Sequence, residues 1–253
     1  MSHRTLLLGI DGATFDVIDP LIAAGRMPVL GALMARGVRA PLRSTCPPVS
    51  APAWVTFLTG KHPGKHGVFN FQNVDARTYS GFSETLVNSS YFRGTTLLDH
   101  LATVSTARTL SYRVPMTYPA WDIPGVLVSG PPLPDRRRAY ARPEAVEAEI
   151  GAVSPLSHDE QEAAKRAHDV ARMDACNRFE LEVLERTTGR YLEAGYELVI
   201  AFTGIPDTLH HYFWGFHDVN SPVHDATAPE ALRTIIDRAY ADVDGVIGRI
   251  LAR

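Results

Sequence analysis

The chain has 253 residues, 45% hydrophobic and 21% charged, enough apolar material for the core of one α/β domain. A net charge of −3 with no evident basic face excludes nucleic acid as a bulk electrostatic partner, and leaves room for a phosphate-bearing small molecule. Two widely separated cysteines, Cys46 and Cys176, exclude a disulfide framework or a metal knuckle and read as free thiols of a reducing compartment.

Residues 5–10 form a short continuous apolar run, the pattern of a strand buried on both faces in a parallel sheet. The run is too short for a signal-peptide core and has no cleavage site behind it. Nothing else approaches a membrane-spanning length, so the expectation is a cytoplasmic protein with no membrane partner. Residues 16–37 read as helical, with Val29, Leu30, Leu33 and Met34 on one stripe that stops at Gly37. A second strand is expected over 38–45, and a short helix over 51–58 with Pro52 in its first turn. The irregular, polar stretch 69–94 reads as loops. A helix over 95–102 and strands over 107–112 and 125–130 come next.

Residues 131–143 read as a loop, 144–150 and 159–193 as helices, and 196–202 as another buried strand. The clearest helix is 228–251, where Leu232, Ile235, Ile236, Ala239, Val243, Val246, Ile247, Ile250 and Leu251 make one stripe, expected to cover the sheet. Strands alternating with helices imply an α/β fold: a doubly wound, mostly parallel sheet flanked by helices. The expected organisation is a single domain, 1–253, in which about 131–194 contribute a cap or insert.

Three sets of residues carry chemistry. Asp11 follows an apolar strand, at the edge where parallel sheets bind ligands; there a carboxylate either holds a metal or, with Gly12, makes a turn. Ser50 opens a short helix, as a common N-cap and equally as a nucleophile aimed at an anion by the helix N-terminus. Its hydroxyl would need a metal ion beside it to favour the alkoxide. Asp207 and His211 lie four apart, so on a helix they share one face and can hold one ion; carboxylate plus imidazole suits zinc, and manganese or iron less exclusively. His210 would point roughly 100° away. His62 and His66 flank Pro63-Gly64-Lys65 and read as turn-stabilising. Arg136-Arg137-Arg138 reads as a solvated loop with the option of reaching an anionic substrate; His217, Asp218, His224 and Asp225 read as surface polarity.

These signals occur in an order that resembles the alkaline phosphatase superfamily, in its type I phosphodiesterase/nucleotide pyrophosphatase-like branch. The residues that carry the resemblance are Gly9-Ile10-Asp11-Gly12, Ser50-Ala51-Pro52 ahead of Thr59-Gly60, and Pro63-Gly64-Lys65-His66-Gly67. Val114 to Pro119 and Asp207 to Trp214 extend it over nearly the whole chain. The resemblance implies an α/β/α sandwich holding two divalent ions, zinc with manganese or iron as alternatives. Asp11 would bind one ion and Asp207 with His211 the other, and Ser50 would bridge them as the covalent nucleophile.

The sequence departs from that pattern in two places. Ala53 stands where many nucleotide pyrophosphatases carry an Asn that binds a phosphoryl oxygen. An Asp-His-Gly motif and a further His, expected on a strand after the last helix, have no counterpart, so the sheet is expected to be incomplete at its C-terminal side and the metal site to lack three ligands. The leading expectation is a metal-dependent hydrolase of small-molecule phosphoric esters, as a fragment with little activity alone. The alternatives are a phosphotransferase or mutase of the same superfamily, and a non-catalytic protein that binds anions or a partner.

Overall fold

The computed structural model describes residues 4–74, 82–133, 140–152 and 154–253. In chain order the elements begin with β1 (Thr5–Ile10), α1 (Phe15–Ala23), α2 (Pro28–Arg36), α3 (Ser50–Thr59) and α4 (Pro63–His66). They continue through β2 (Gln72–Val74), β3 (Phe82–Leu86), α5 (Leu97–Val104), β4 (Thr109–Tyr112), β5 (Gly125–Val128) and β6 (Ala141–Arg142). The rest are α6 (Val146–Ile150), α7 (His158–Arg166), α8 (Val170–Glu193), β7 (Leu198–Thr203), α9 (Ile205–His217), α10 (Glu230–Arg233) and α11 (Ile235–Leu251).

The main sheet has the order β1-β7-β4-β5-β6, and β2 and β3 form a separate antiparallel pair. β4 pairs in parallel with β5 (Thr109 opposite Gly125) and with β7 (Thr109 opposite Leu198), while β6 runs antiparallel along β5. β1 and β7 ascend together, with Thr5 N–H donating to Glu197 O and Asp11 N–H to Thr203 O. The expected mostly parallel α/β sheet is therefore present, closed on one side by a short antiparallel edge.

The chain divides into two compact units. The first (residues 1–9, 41–149 and 191–202) holds nearly all of the main sheet. Its core joins Ala51, Val55 and Leu58 of α3 to Leu98 of α5, Leu127 of β5 and Ile200 of β7. Trp54 lies edge-on to Phe202, ring centroids 5.0 Å apart, and its indole rests against Gly9, where any Cβ would collide with it. The second unit (residues 10–40, 150–190 and 203–253) is helical. Here the apolar stripe of α11 is buried against α9, α1 and α2. Leu232 belongs to α10, on the other side of a break at Thr234.

Several expectations require correction. No strand forms over 38–45: Val38 and Leu42 stand 97% and 96% exposed, and Pro41 lacks the N–H that a ladder needs. The helical stretch 16–37 is two helices, separated at Gly25 (φ 71°) and restarted by Pro28 at the first turn of α2. The helix expected over 159–193 breaks at His168 (φ 50°), whose ring packs edge-on to Phe213 and Phe216. The stretch 69–94 contains the β2–β3 pair, and 131–143 contains β6. Arg136, Arg137 and Arg138 lie outside the described residues.

α2 begins without a side-chain cap of its own. Asp244 of α11, 1% exposed, accepts instead from the N–H groups of Val29 (3.0 Å) and Leu30 (2.7 Å). A carboxylate at a helix N-terminus answers both the unpaired donors and the dipole. Asp244→Ala should therefore cost about 3 kcal/mol in urea unfolding, with Asp244→Asn losing less because one acceptor oxygen remains.

Candidate active site

β1 leads directly into Asp11. Asp11 N–H donates to Thr203 O (3.0 Å), and Asp207 N–H donates to Asp11 O (3.1 Å), so the end of β1 is tied to β7 and then to α9. Gly204 is the N-cap of α9 and Pro206 lies in its first turn, which puts Asp207 at the third helical position, where the dipole favours a carboxylate. Gly12 permits this approach. Its φ is 71°, and a Cβ there would lie 2.6 Å from the Asp207 Cα. Gly12 N–H also donates to Asp11 Oδ1 (3.1 Å).

One helical turn after Asp207, His211 Nε2 lies 3.6 Å from Asp207 Oδ1. Burial pushes the Asp207 carboxyl above its usual range; the negative charge of Asp11 adds to the rise and His211 opposes it. Two mutually repelling carboxylates and an imidazole are hard and borderline donors, a set that fits a divalent cation. Among the described residues no group of three or more His, Cys, Asp or Glu side chains has metal-holding geometry. Asp207 and His211 are thus a two-donor pair, with Asp11 as a neighbouring third donor outside a shared sphere.

His210 turns the other way, into an aromatic cluster. It stacks on Tyr240 and meets Trp214 edge-on, and its Nε2 lies 3.2 Å from the Tyr240 hydroxyl. That hydroxyl accepts from Thr14 N–H (3.2 Å), and burial raises its pKa to about 12, so its own proton is donated to His210 Nε2. Burial, with His217 and His211 nearby, lowers the His210 pKa to about 4, consistent with a neutral ring that accepts. Apolar periodicity does not single out Tyr240, whose buried hydroxyl joins α1, α9 and α11.

Ser50 lies in the first unit, Asp11, Asp207 and His211 in the second. Val49 is the N-cap of α3 and Ser50 its first helical residue, which corrects the N-cap reading; no side chain caps this terminus. The Ser50 hydroxyl is therefore not engaged in capping. Ala53 N–H donates to Val49 O (3.1 Å), Pro52 has no N–H, and the N–H groups of Ser50 and Ala51 have no partner among the described residues. Ala51 is fully buried, so the accessible groups are the Ser50 hydroxyl and the Ser50 N–H, at the positive end of a helix that suits an anion.

The far end of α3 is fixed by the turn beyond it. Val68 N–H donates to His66 Nδ1 (3.1 Å), which leaves His66 Nε2–H to donate to Thr56 Oγ1 (3.0 Å). Burial, then the neighbouring His62, lower the His66 pKa and keep this ring neutral. His62 packs over Gly64. Both histidines thus serve the turn.

Gly12→Ala must place a side chain at positive φ and push Asp207 away, so it should destabilise the protein by roughly 2–4 kcal/mol in thermal or urea unfolding. The His210 ring binds fewer protons folded than unfolded between its ordinary value of 6.5 and about 4. Its neutral-state contribution is therefore complete above pH 6.5 and is lost as pH falls toward 4. His210→Gln should flatten unfolding stability against pH within that window; an unchanged slope would show that other groups set it.

The chain matches the type I phosphodiesterase / nucleotide pyrophosphatase family over residues 5–253. No curated protein matches it. Among solved structures it is similar to phosphonoacetate hydrolase from Sinorhizobium meliloti 1021, in complex with phosphonoacetate and with phosphonoformate. The TM-score is 0.60 in both cases, with 18% and 19% sequence identity. The matches cover 97% of this chain and 54% of the other, so the chain spans about half the length of those structures, and the likeness is one of fold. With that fold and a family match running from β1 through α11, the chain belongs to the type I phosphodiesterase / nucleotide pyrophosphatase family.

Proposed function

We propose that the chain acts as a phosphoric-ester hydrolase of the phosphodiesterase or phosphatase type, with Ser50 as nucleophile and Asp11, Asp207 and His211 as ligands of divalent ions. The observation that carries this reading is the first turn of α3, where an uncapped terminus leaves the partly exposed Ser50 with a hydroxyl and a backbone N–H that have no partner among the described residues. Family membership supports the ester chemistry. The phosphonate complexes of the structurally similar hydrolase support a small substrate. Ala53, in place of the Asn found in many nucleotide pyrophosphatases, favours a substrate other than a nucleotide diester.

In this mechanism Ser50 Oγ loses its proton to solvent and attacks phosphorus, while the bond from phosphorus to the leaving alcohol breaks on the opposite side. The Ser50 N–H holds a phosphoryl oxygen as charge builds on it. Water then attacks the phosphoserine, the bond to Oγ breaks, and Oγ regains a proton; two inversions retain configuration overall. Asp11 would contact one ion and the Asp207–His211 pair another, with zinc suited by donor type and manganese or iron also accommodated. A divalent ion held by these residues would supply Lewis-acid stabilisation of developing negative charge.

Three protein donors bind two ions weakly, so the chain by itself should show slow turnover and low metal affinity. In thermal melts at neutral pH, zinc or manganese should stabilise the protein only at high concentration. Asp207→Asn should remove that response and raise the metal-free melting temperature, because an ionised carboxyl whose pKa is raised destabilises the fold above that pKa. Tight stoichiometric binding of two zinc ions would overturn the weak-site reading. With 4-nitrophenyl phosphate, Ser50→Ala should lower metal-dependent turnover by about a hundredfold or more. It should also abolish the phosphoryl adduct seen by mass spectrometry, and undiminished turnover would remove Ser50 from the nucleophile role.

A further inference from the structure

The first unit contains an open cleft of about 850 Å³ between the C-terminal end of α3 and the opening turns of α5. Its volume lies within the range of small-molecule sites. It lies at the opposite end of the ten-residue α3 from Ser50, its lining beginning at Phe57. Two large apolar side chains line it while remaining open to solvent, Phe57 at 40% and Leu97 at 36% exposure. Two cationic or donor side chains share the same walls, Lys61 and His100.

The polar groups around this cleft are unequally engaged. Asp99, the carboxylate in the lining, has both oxygens occupied: Oδ1 accepts from Trp121 Nε1–H (2.9 Å), and Oδ2 accepts from Gly94 N–H (2.8 Å), Thr96 N–H (2.9 Å) and the Thr96 hydroxyl (2.6 Å). The hydroxyls of Thr59, Thr95 and Thr103 donate to the carbonyls of Val55, Phe92 and His100. Lys61, half-buried, has no carboxylate partner among the described residues, and the His100 imidazole makes no hydrogen bond with them. The donors left for a ligand are thus an ammonium and an imidazole, beside an aromatic and an aliphatic face.

We propose that this cleft is a binding site for a small amphipathic organic anion, whose carboxylate or similar group meets Lys61 and His100 while its apolar body covers Phe57 and Leu97. A charge without a body would lose the apolar contact, and an uncharged body would leave the Lys61 ammonium without a counter-ion. The proposal is independent of the nucleophile assigned above, since none of these side chains belongs to the first turn of α3.

The test is a titration of the full chain with 2-naphthoate, followed by calorimetry and by backbone amide NMR shifts, with 2-naphthol and with acetate as single-feature controls. Saturable 2-naphthoate binding should shift the Gly60, Lys61 and Leu97 amides, with 2-naphthol and acetate each binding at least about tenfold more weakly. Lys61→Gln should weaken 2-naphthoate by about tenfold while Lys61→Arg largely retains it. Leu97→Asp should abolish binding without unfolding the protein, because an acidic residue at the first position of a helix is itself favourable. Ser50→Ala should leave the titration unchanged, which separates this site from the proposed reaction. Absence of saturable binding, shifts located elsewhere, or affinity indifferent to both Lys61→Gln and Leu97→Asp would overturn the proposal.

Discussion

The candidate metal site depends on the pairing of β1 with β7 and on the short segment that leaves the end of each strand. A parallel ladder carries two strand ends to the same edge of a sheet. Here the ladder is prolonged past the strands: Asp11 bonds back to Thr203, and Asp207 bonds back to Asp11. Two carboxylates nearly two hundred residues apart in sequence are thereby placed close enough for one to raise the pKa of the other. Main-chain hydrogen bonds enforce this approach, so the side chains lose little entropy on meeting. Gly12 is the steric condition for it, since a side chain at this position would meet both a positive φ and the Asp207 backbone.

The second unit reads as bracing for that junction. α11 carries three polar attachments along a stripe that is otherwise apolar. Asp237 meets Arg26 (3.0 Å) and His217 (3.4 Å), Tyr240 joins Thr14 to His210, and Asp244 caps α2. Spaced three and four apart, these lie along the same face as the apolar positions. Each ties α11 to an element that either comes after Asp11 or carries Asp207. Apolar burial supplies most of the cohesion, while the polar contacts set which helix faces which.

Much of this was legible in the sequence. The uninterrupted apolar runs 6–10 and 198–202 lie within β1 and β7, with the second strand starting two residues later than expected, after Glu197, and Asp207 and His211 share a face because the intervening segment is helical. Breaks within helical stretches were harder to see. His168 adopts φ 50° although nothing in its side chain demands it, and the contact that holds it is with Phe213 and Phe216, far along the chain. The missing strand at 38–45 shows the opposite failure. Alternating apolar residues satisfy the local pattern, but a strand exists only when a neighbour accepts its hydrogen bonds. Asp244 and Tyr240 illustrate a third case, since a stripe of apolar residues conceals which buried polar members have distant partners.

The first turn of α3, in the first unit, and the Asp11–Asp207 junction, in the second, differ in how each is held. At α3 the donors are backbone groups set by helix geometry, with Trp54 on Gly9 and His66 on Thr56 fixing the helix along its length. Such donors need no reorganisation when an anion arrives. At Asp11 and Asp207 the arrangement is under electrostatic stress, because burial and like charge both oppose ionisation of Asp207, and His211 relieves only part of it. A fold that retains this arrangement carries a local destabilisation that a cation would remove. Protonation of Asp207 would relieve it too, but only toward acid pH, where His210 would gain charge in turn. A divalent ion on the Asp207–His211 pair, as proposed above, would offset the burial and like-charge cost at Asp207 by supplying positive charge where the chain supplies little.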